Sequence, residues 1–104
     1  MKESSLREFN RLMRPYCAKG SKANRTKQCQ RALFAINDIF KHEPLVRDRL
    51  ESLGRKHVIG FWRRNEAMNQ TTRMNYWYAL RTTFELLGKS DPPKPILILN
   101  GDTT

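Results

Sequence analysis

Apolar residues recur at intervals of three and four along most of the 104-residue chain, the spacing that lines one face of a helix. Leu6, Phe9, Leu12 and Met13 form the first such stripe. Cys29, Leu33, Ile36 and Phe40 form a second, flanked by Ala32 and Ile39. Leu45, Val46, Leu50 and Leu53 give a third, Val58, Ile59, Phe61 and Trp62 a fourth, and Met74, Trp77, Leu80, Phe84 and Leu87 a fifth. The pattern predicts an all-α protein, its helices joined by short breaks around one core.

Breakers and capping residues set the expected boundaries. Ser5-Leu6-Arg7-Glu8 matches a capping box, in which hydroxyl and carboxylate each satisfy an orphan amide. Pro15 should end or kink the first helix, since it lacks a donor and pushes Arg14 out of helical geometry. Gly20-Ser21 reads as loop. The second helix should start between Ser21 and Asn24 and run to Lys41, about 27 Å for roughly 18 residues. Pro44 suits the first turn of a third helix and Gly54 its C-terminal cap. Arg55 to Ala67 reads as a short fourth helix, weakened by Gly60 by about 1 kcal/mol relative to alanine. A fifth should begin between Asn69 and Thr72 and end at Gly88. Residues 1–90 then form the helical domain and 91–104 a proline-rich linker, opened by Asp91-Pro92-Pro93-Lys94-Pro95. Ile96-Leu97-Ile98-Leu99 is strand-like, and the turn signal Asn100-Gly101 has no second strand after it.

The heads of two helices are polar in a similar way. Asn69, Gln70, Thr71, Thr72, Arg73 and Asn75 precede the last apolar stripe, and Asn24, Arg25, Thr26 and Lys27 precede the second. Charge strengthens the parallel: 20 Lys and Arg against 10 Asp and Glu give a net charge of +10, a footprint for polyanions. Phe9 to Asn37 holds seven basic residues and no acid; Ser52 to Phe84 holds six more and only Glu66. Free amides and the positive dipole end at a helix start bind phosphate, Asn and Gln match the edge of adenine, and Arg matches guanine. Both heads are therefore expected to face one partner. The plainer reading makes Asn69 or Thr71 an N-cap on an otherwise solvated face.

Catalytic patterns are missing. His42 and His57 have no companion ligands and read as surface residues, no phosphate-binding glycine motif or nucleophile elbow occurs, and none of Tyr16, Tyr76 and Tyr78 has an activating set of Arg and His. No metal or cofactor site and no catalytic residue are expected. Trp77 belongs to an apolar stripe and reads as core, whereas Tyr76 and Tyr78 are open to either packing or base stacking. Cys17 and Cys29, twelve apart, suit two reduced thiols better than a disulfide. With no apolar run of about 20 residues and no signal-peptide pattern, a cytoplasmic location without a membrane partner is expected.

In this order the motifs resemble the N-terminal core-binding domain of tyrosine recombinases, the phage-type integrases. Leu6-Arg7-Glu8-Phe9 is similar to the family's L-x-x-F helix, and Asn24-Arg25-Thr26 to the helix opening with Thr after a basic loop. Val58-Ile59-Gly60-Phe61-Trp62 resembles the segment ending in two aromatics, and Thr72, Leu80 and Phe84 the last helix, before a Pro-containing linker. The resemblance covers Leu6 to Pro95. It implies a small orthogonal bundle of four to five helices, SAM-like, that clamps duplex DNA with helix N-termini, monomeric in isolation, and a catalytic domain after the linker in a longer parent. Carried over, the DNA-contact candidates are Lys22, Asn24, Arg25, Thr26, Lys27 and Arg31 on the second helix and Gln70, Thr71, Thr72, Arg73 and Asn75 on the last. Nothing in the chain matches the family's catalytic Arg, Lys, His and Tyr, so strand exchange would belong to the parent. The alternatives are a single-strand or RNA-binding module, an interaction module for an acidic protein, and a self-contained enzyme.

Overall fold

Four α-helices carry the chain in a computed structural model that describes residues 2–17, 22–47 and 49–95: α1 (Glu3–Cys17), α2 (Lys22–His42), α3 (Arg55–Arg64) and α4 (Gln70–Leu86). No strand occurs among the described residues. The all-α bundle expected from periodicity is the fold observed. The expected loop at Gly20-Ser21, the Ile96–Leu99 run and Asn100-Gly101 lie outside the described residues.

Phe9 and Met13 of α1, Ala32, Ala35, Ile36, Ile39 and Phe40 of α2, and Trp77, Ala79, Leu80 and Phe84 of α4 meet in the core. The small side chains Ala32, Ala35 and Ala79 are wholly buried and leave room for the backbones to approach. Thr83 is also wholly buried, its hydroxyl donating to the Ala79 carbonyl at 3.0 Å and lying 3.7 Å from the Met13 sulfur. Cys29, Leu33, Met74 and Leu87, expected inward, are only partly buried, and Leu6 is 37% exposed. A period of 3.6 fixes a face only to within one position, and the small residues take its centre.

The starts and stops differ from expectation in several places. α1 begins at Glu3, with the Leu6 amide donating to the Lys2 carbonyl at 3.0 Å, so Ser5 is a buried residue of the first turn instead of its cap. Pro15 lies inside the last turn of α1, which continues to Cys17; a proline so near the end removes few helical bonds.

The third helix is replaced by two 3-10 turns, Pro44–Val46 and Leu50–Ser52. Pro44 does open the first of them, but Arg47 adopts a left-handed conformation at φ 55° and stops propagation. Val46, Leu50 and Leu53 are nevertheless buried, because core contact and not helix propensity holds so short a segment. Gly54 consequently starts α3 instead of capping a helix before it. Gly60 has a structural reason: an added Cβ would lie 3.1 Å from both the Arg64 guanidinium and the Glu43 carboxylate, which bridge across it. α3 itself ends at Arg64, short of Ala67.

Gly88 does close α4, at φ 75°. Its amide donates to the Glu85 carbonyl at 3.0 Å and the Lys89 amide to that of Phe84 at 2.8 Å, a Schellman arrangement. The proline segment that follows has no regular secondary structure at Asp91–Lys94, and it is not a free linker. Pro92, Pro93 and Pro95 are buried, and the Pro92 and Pro93 carbonyls accept the indole N–H groups of Trp77 and Trp62, each at 2.9 Å. A buried indole needs an acceptor, and a proline strand offers unused carbonyls. The described part of the linker is thus a strap on the helical domain.

Candidate nucleic-acid interface

α2 begins beside the end of α1. The Arg25 guanidinium donates to the Tyr16 carbonyl at 2.8 Å and covers the Tyr16 ring at 4.5 Å from its centroid. Cys17 and Cys29 are joined by a disulfide across the same junction, which overturns the expectation of two reduced thiols. Spacing could not show this, because a helical hairpin and not a short sequence motif brings the sulfurs together. Asn24, Thr26 and Lys27 remain exposed on this start, and Arg31 is half-buried with its guanidinium 3.3 Å from the Gln28 amide oxygen. The side chain of Lys22 lies outside the described residues.

α4 opens on a well-formed cap. Asn69 is the N-cap and its side-chain oxygen accepts the Thr72 amide at 2.8 Å, as the plainer reading held. Gln70 and Thr71 are exposed, and Thr72 and Asn75 half-buried. Arg73, the expected base reader, is only 4% exposed, and its guanidinium donates to the Glu66 carbonyl in the turn before the helix. A charged fork so placed braces the α3–α4 turn and does not reach outward.

Contact order separates the two heads. Phe34, midway along α2, packs on Tyr76 near the start of α4 at 5.6 Å between ring centroids. Nearer the α2 start, Cys29 shares a hollow with Met13, and Met13 touches Thr83 toward the α4 end. The two helices pass these contacts in opposite order, so their starts lie toward opposite ends of the pair, not side by side. A single cluster formed by both heads is not what the fold builds.

Charge is sorted across the surface. Arg64 holds Asp38 at 2.7 Å and Glu43 at 3.3 Å, and Arg81 lies within 4 Å of Glu85 and Asp91. Exposed Lys27, Lys56, Arg63, Arg7, Arg11 and Arg14 make no ion pair with the described residues. Asp38 and Glu43 are thereby occupied at part-buried positions and Glu85 and Asp91 at exposed ones, while much of the positive charge faces water.

His42 is exposed, as expected, but His57 is buried and its ring nitrogen accepts the Gly54 amide at 2.9 Å. Burial holds its pKa below the ordinary histidine value, Glu43 opposing and Lys56 reinforcing the shift. Trp77 is core, as its stripe predicted, and Tyr76 is half-buried against Phe34 and Phe61. Tyr78 and Phe34 are 46% and 49% exposed. Sequence periodicity gave Phe34 no role; only its place beside, not on, the α2 stripe could have marked it as outward. No group of metal-ligating side chains occurs among the described residues, and no helix there is long and apolar enough to cross a membrane.

No family model, curated protein or solved structure matches the chain.

Proposed function

We propose that this chain is a helical module that binds double-stranded DNA through its sugar-phosphate backbone, serving in a longer tyrosine recombinase as the core-binding domain. The observation that carries the proposal is the sorting of charge: carboxylates are held by Arg64 and Arg81 while unpaired cations face solvent on a +10 chain. The order of motifs from Leu6 to Pro95 supplies the recombinase context. Asn24, Thr26 and Lys27 on α2 and Gln70 and Thr71 on α4 are the exposed contact candidates, and Thr72, Asn75 and Arg31 stand at their margins. Arg25 and Arg73 support these heads from within. Cutting and rejoining DNA is assigned to the parent's catalytic domain, and a suicide-substrate assay trapping a tyrosyl-DNA adduct on this chain would overturn that assignment. A cytoplasmic location follows from a DNA partner, not from the cysteines.

Fluorescence anisotropy on a labelled duplex across a salt series tests the reading. With six phosphates engaged, log K falls against log salt with a slope near −5, about 0.9 per phosphate. Lys27→Ala should reduce that slope by about 0.9. Absence of binding at low salt, or a flat response, sinks the proposal.

One observation favours a second reading. Phe34 and Tyr78 expose aromatic surface on a basic domain, as base-stacking proteins do. Competition decides between them: unlabelled single strand displacing the duplex more effectively than duplex itself makes the single strand the ligand.

A further inference from the structure

α1 turns three arginines directly away from the core. Arg7, Arg11 and Arg14 are all exposed and lie at i, i+4 and i+7, within about 60° of one another around the axis and on the far side from buried Phe9 and Met13. None of the three makes an ion pair or hydrogen bond with the described residues. Solvated helix faces ordinarily interleave both signs, because like charges one turn apart repel and weaken the helix. Counter-charge here is limited to Glu3, one turn before Arg7, and Glu8, which borders the hollow between Arg7 and Arg11, and neither forms an ion pair with the three arginines.

We propose that this stripe is a further contact surface of the domain, and that its occupant is the phosphate backbone of a nucleic acid. The inference rests on the DNA-binding reading and extends it to a helix that neither polar head includes. Seven residues of helix advance about 10 Å, close to three phosphate-to-phosphate steps along one strand at roughly 3.4 Å of axis each. Guanidinium forks match phosphate oxygens in pairs. The stripe also leads toward α2: Arg14 borders the same hollow as Cys29, in the part of α2 that exposes Thr26 and Lys27. Beyond half-exposed Leu6 at its side, the face offers no apolar or aromatic anchor of the kind that carries a protein interface, whereas counterion release needs none.

The test compares salt slopes for duplex binding by wild type, the triple variant Arg7→Ala/Arg11→Ala/Arg14→Ala and the triple variant with lysine at the same positions. Circular dichroism confirms that all three fold, as exposed alanine substitutions in a helix should allow. The alanine variant should lose about 2.7 from the magnitude of the slope, at 0.9 per phosphate, and the lysine variant should recover it. An unchanged slope in a wild-type background that does bind DNA overturns the stripe alone, whereas no binding by wild type brings down the stripe and the DNA reading together. Poly-glutamate displacing the duplex as well as unlabelled duplex of equal charge also overturns it, because the face would then serve an acidic protein.

Discussion

The starts of α2 and α4 carry similar polar residues, yet α2 is tied to its neighbour from outside and α4 is braced from within. On α2, the Cys17–Cys29 bond and the Arg25 guanidinium on Tyr16 fasten the helix to α1, and Asn24, Thr26 and Lys27 are left to solvent. On α4, the Asn69 cap and buried Arg73 satisfy backbone groups of the turn and helix start, leaving mainly Gln70 and Thr71 outward. Arginine in one motif is thus a clamp on a ring, and in the other a buried strut. Identity of residue type says little about role until the neighbours of each guanidinium are known.

The largest expected effect falls on the α2 side. Cys29→Ala removes the cross-link closing a loop of about a dozen residues and should lower stability by about 3 kcal/mol, measured by urea unfolding against reduced and oxidised wild type. Reduced wild type should match the variant. If oxidised and reduced protein unfold at the same urea concentration, α2 is held by packing alone and the contrast with α4 disappears. Arg73→Ala comes next, at about 2 kcal/mol, since it strands the Glu66 carbonyl and removes a charge-assisted bond from a buried position. An Arg73 that swings out to read bases would instead leave stability unchanged and weaken DNA binding.

A finer cut concerns the caps. Asn69→Ala should cost about 1 kcal/mol through loss of the Thr72 amide's acceptor. Asn24→Ala, on an exposed position inside α2, should stay within about 0.5 kcal/mol of wild type. Equal losses at the two asparagines would mean that the heads are alike after all.

Periodicity located the helices because burial of a continuous stripe dominates their energetics, and it failed where another force decides. Val46, Leu50 and Leu53 gave the right inner face, but Arg47 in the left-handed region divides the segment into two 3-10 turns. The Asp91–Pro95 composition marked where α4 could not continue, but docking depends on two indole N–H groups finding carbonyls 15 and 31 residues away in sequence. Side-chain direction was the least legible. Arg73 follows the same polar head as Gln70 and Thr71, and only the course of the α3–α4 turn brings a backbone carbonyl within its reach. The arginines of α1 were visible as charges, yet their common face emerges only once Phe9 and Met13 define the inside.

The smallest effect isolates a third helix start. α3 is capped by the His57 ring, which accepts the Gly54 amide and must be neutral to do so, whereas the Asn69 cap of α4 does not titrate. Burial lowers the folded pKa of His57 below its unfolded value of 6.5, so the unfolded chain binds more protons in the interval between the two. The contribution of this cap is therefore complete above about pH 6.5 and is lost as pH falls through that interval toward the lowered folded value. His57→Gln keeps an acceptor at the same position of the first turn and removes the titration, so its stability should be flatter across mildly acidic pH; exposed His42 is common to both proteins and cancels. In NMR spectra the Gly54 amide should shift on acidification and the Thr72 amide should not. Parallel shifts of both amides would assign the pH response to the fold as a whole, and identical pH profiles for His57→Gln and wild type would remove the histidine cap from it.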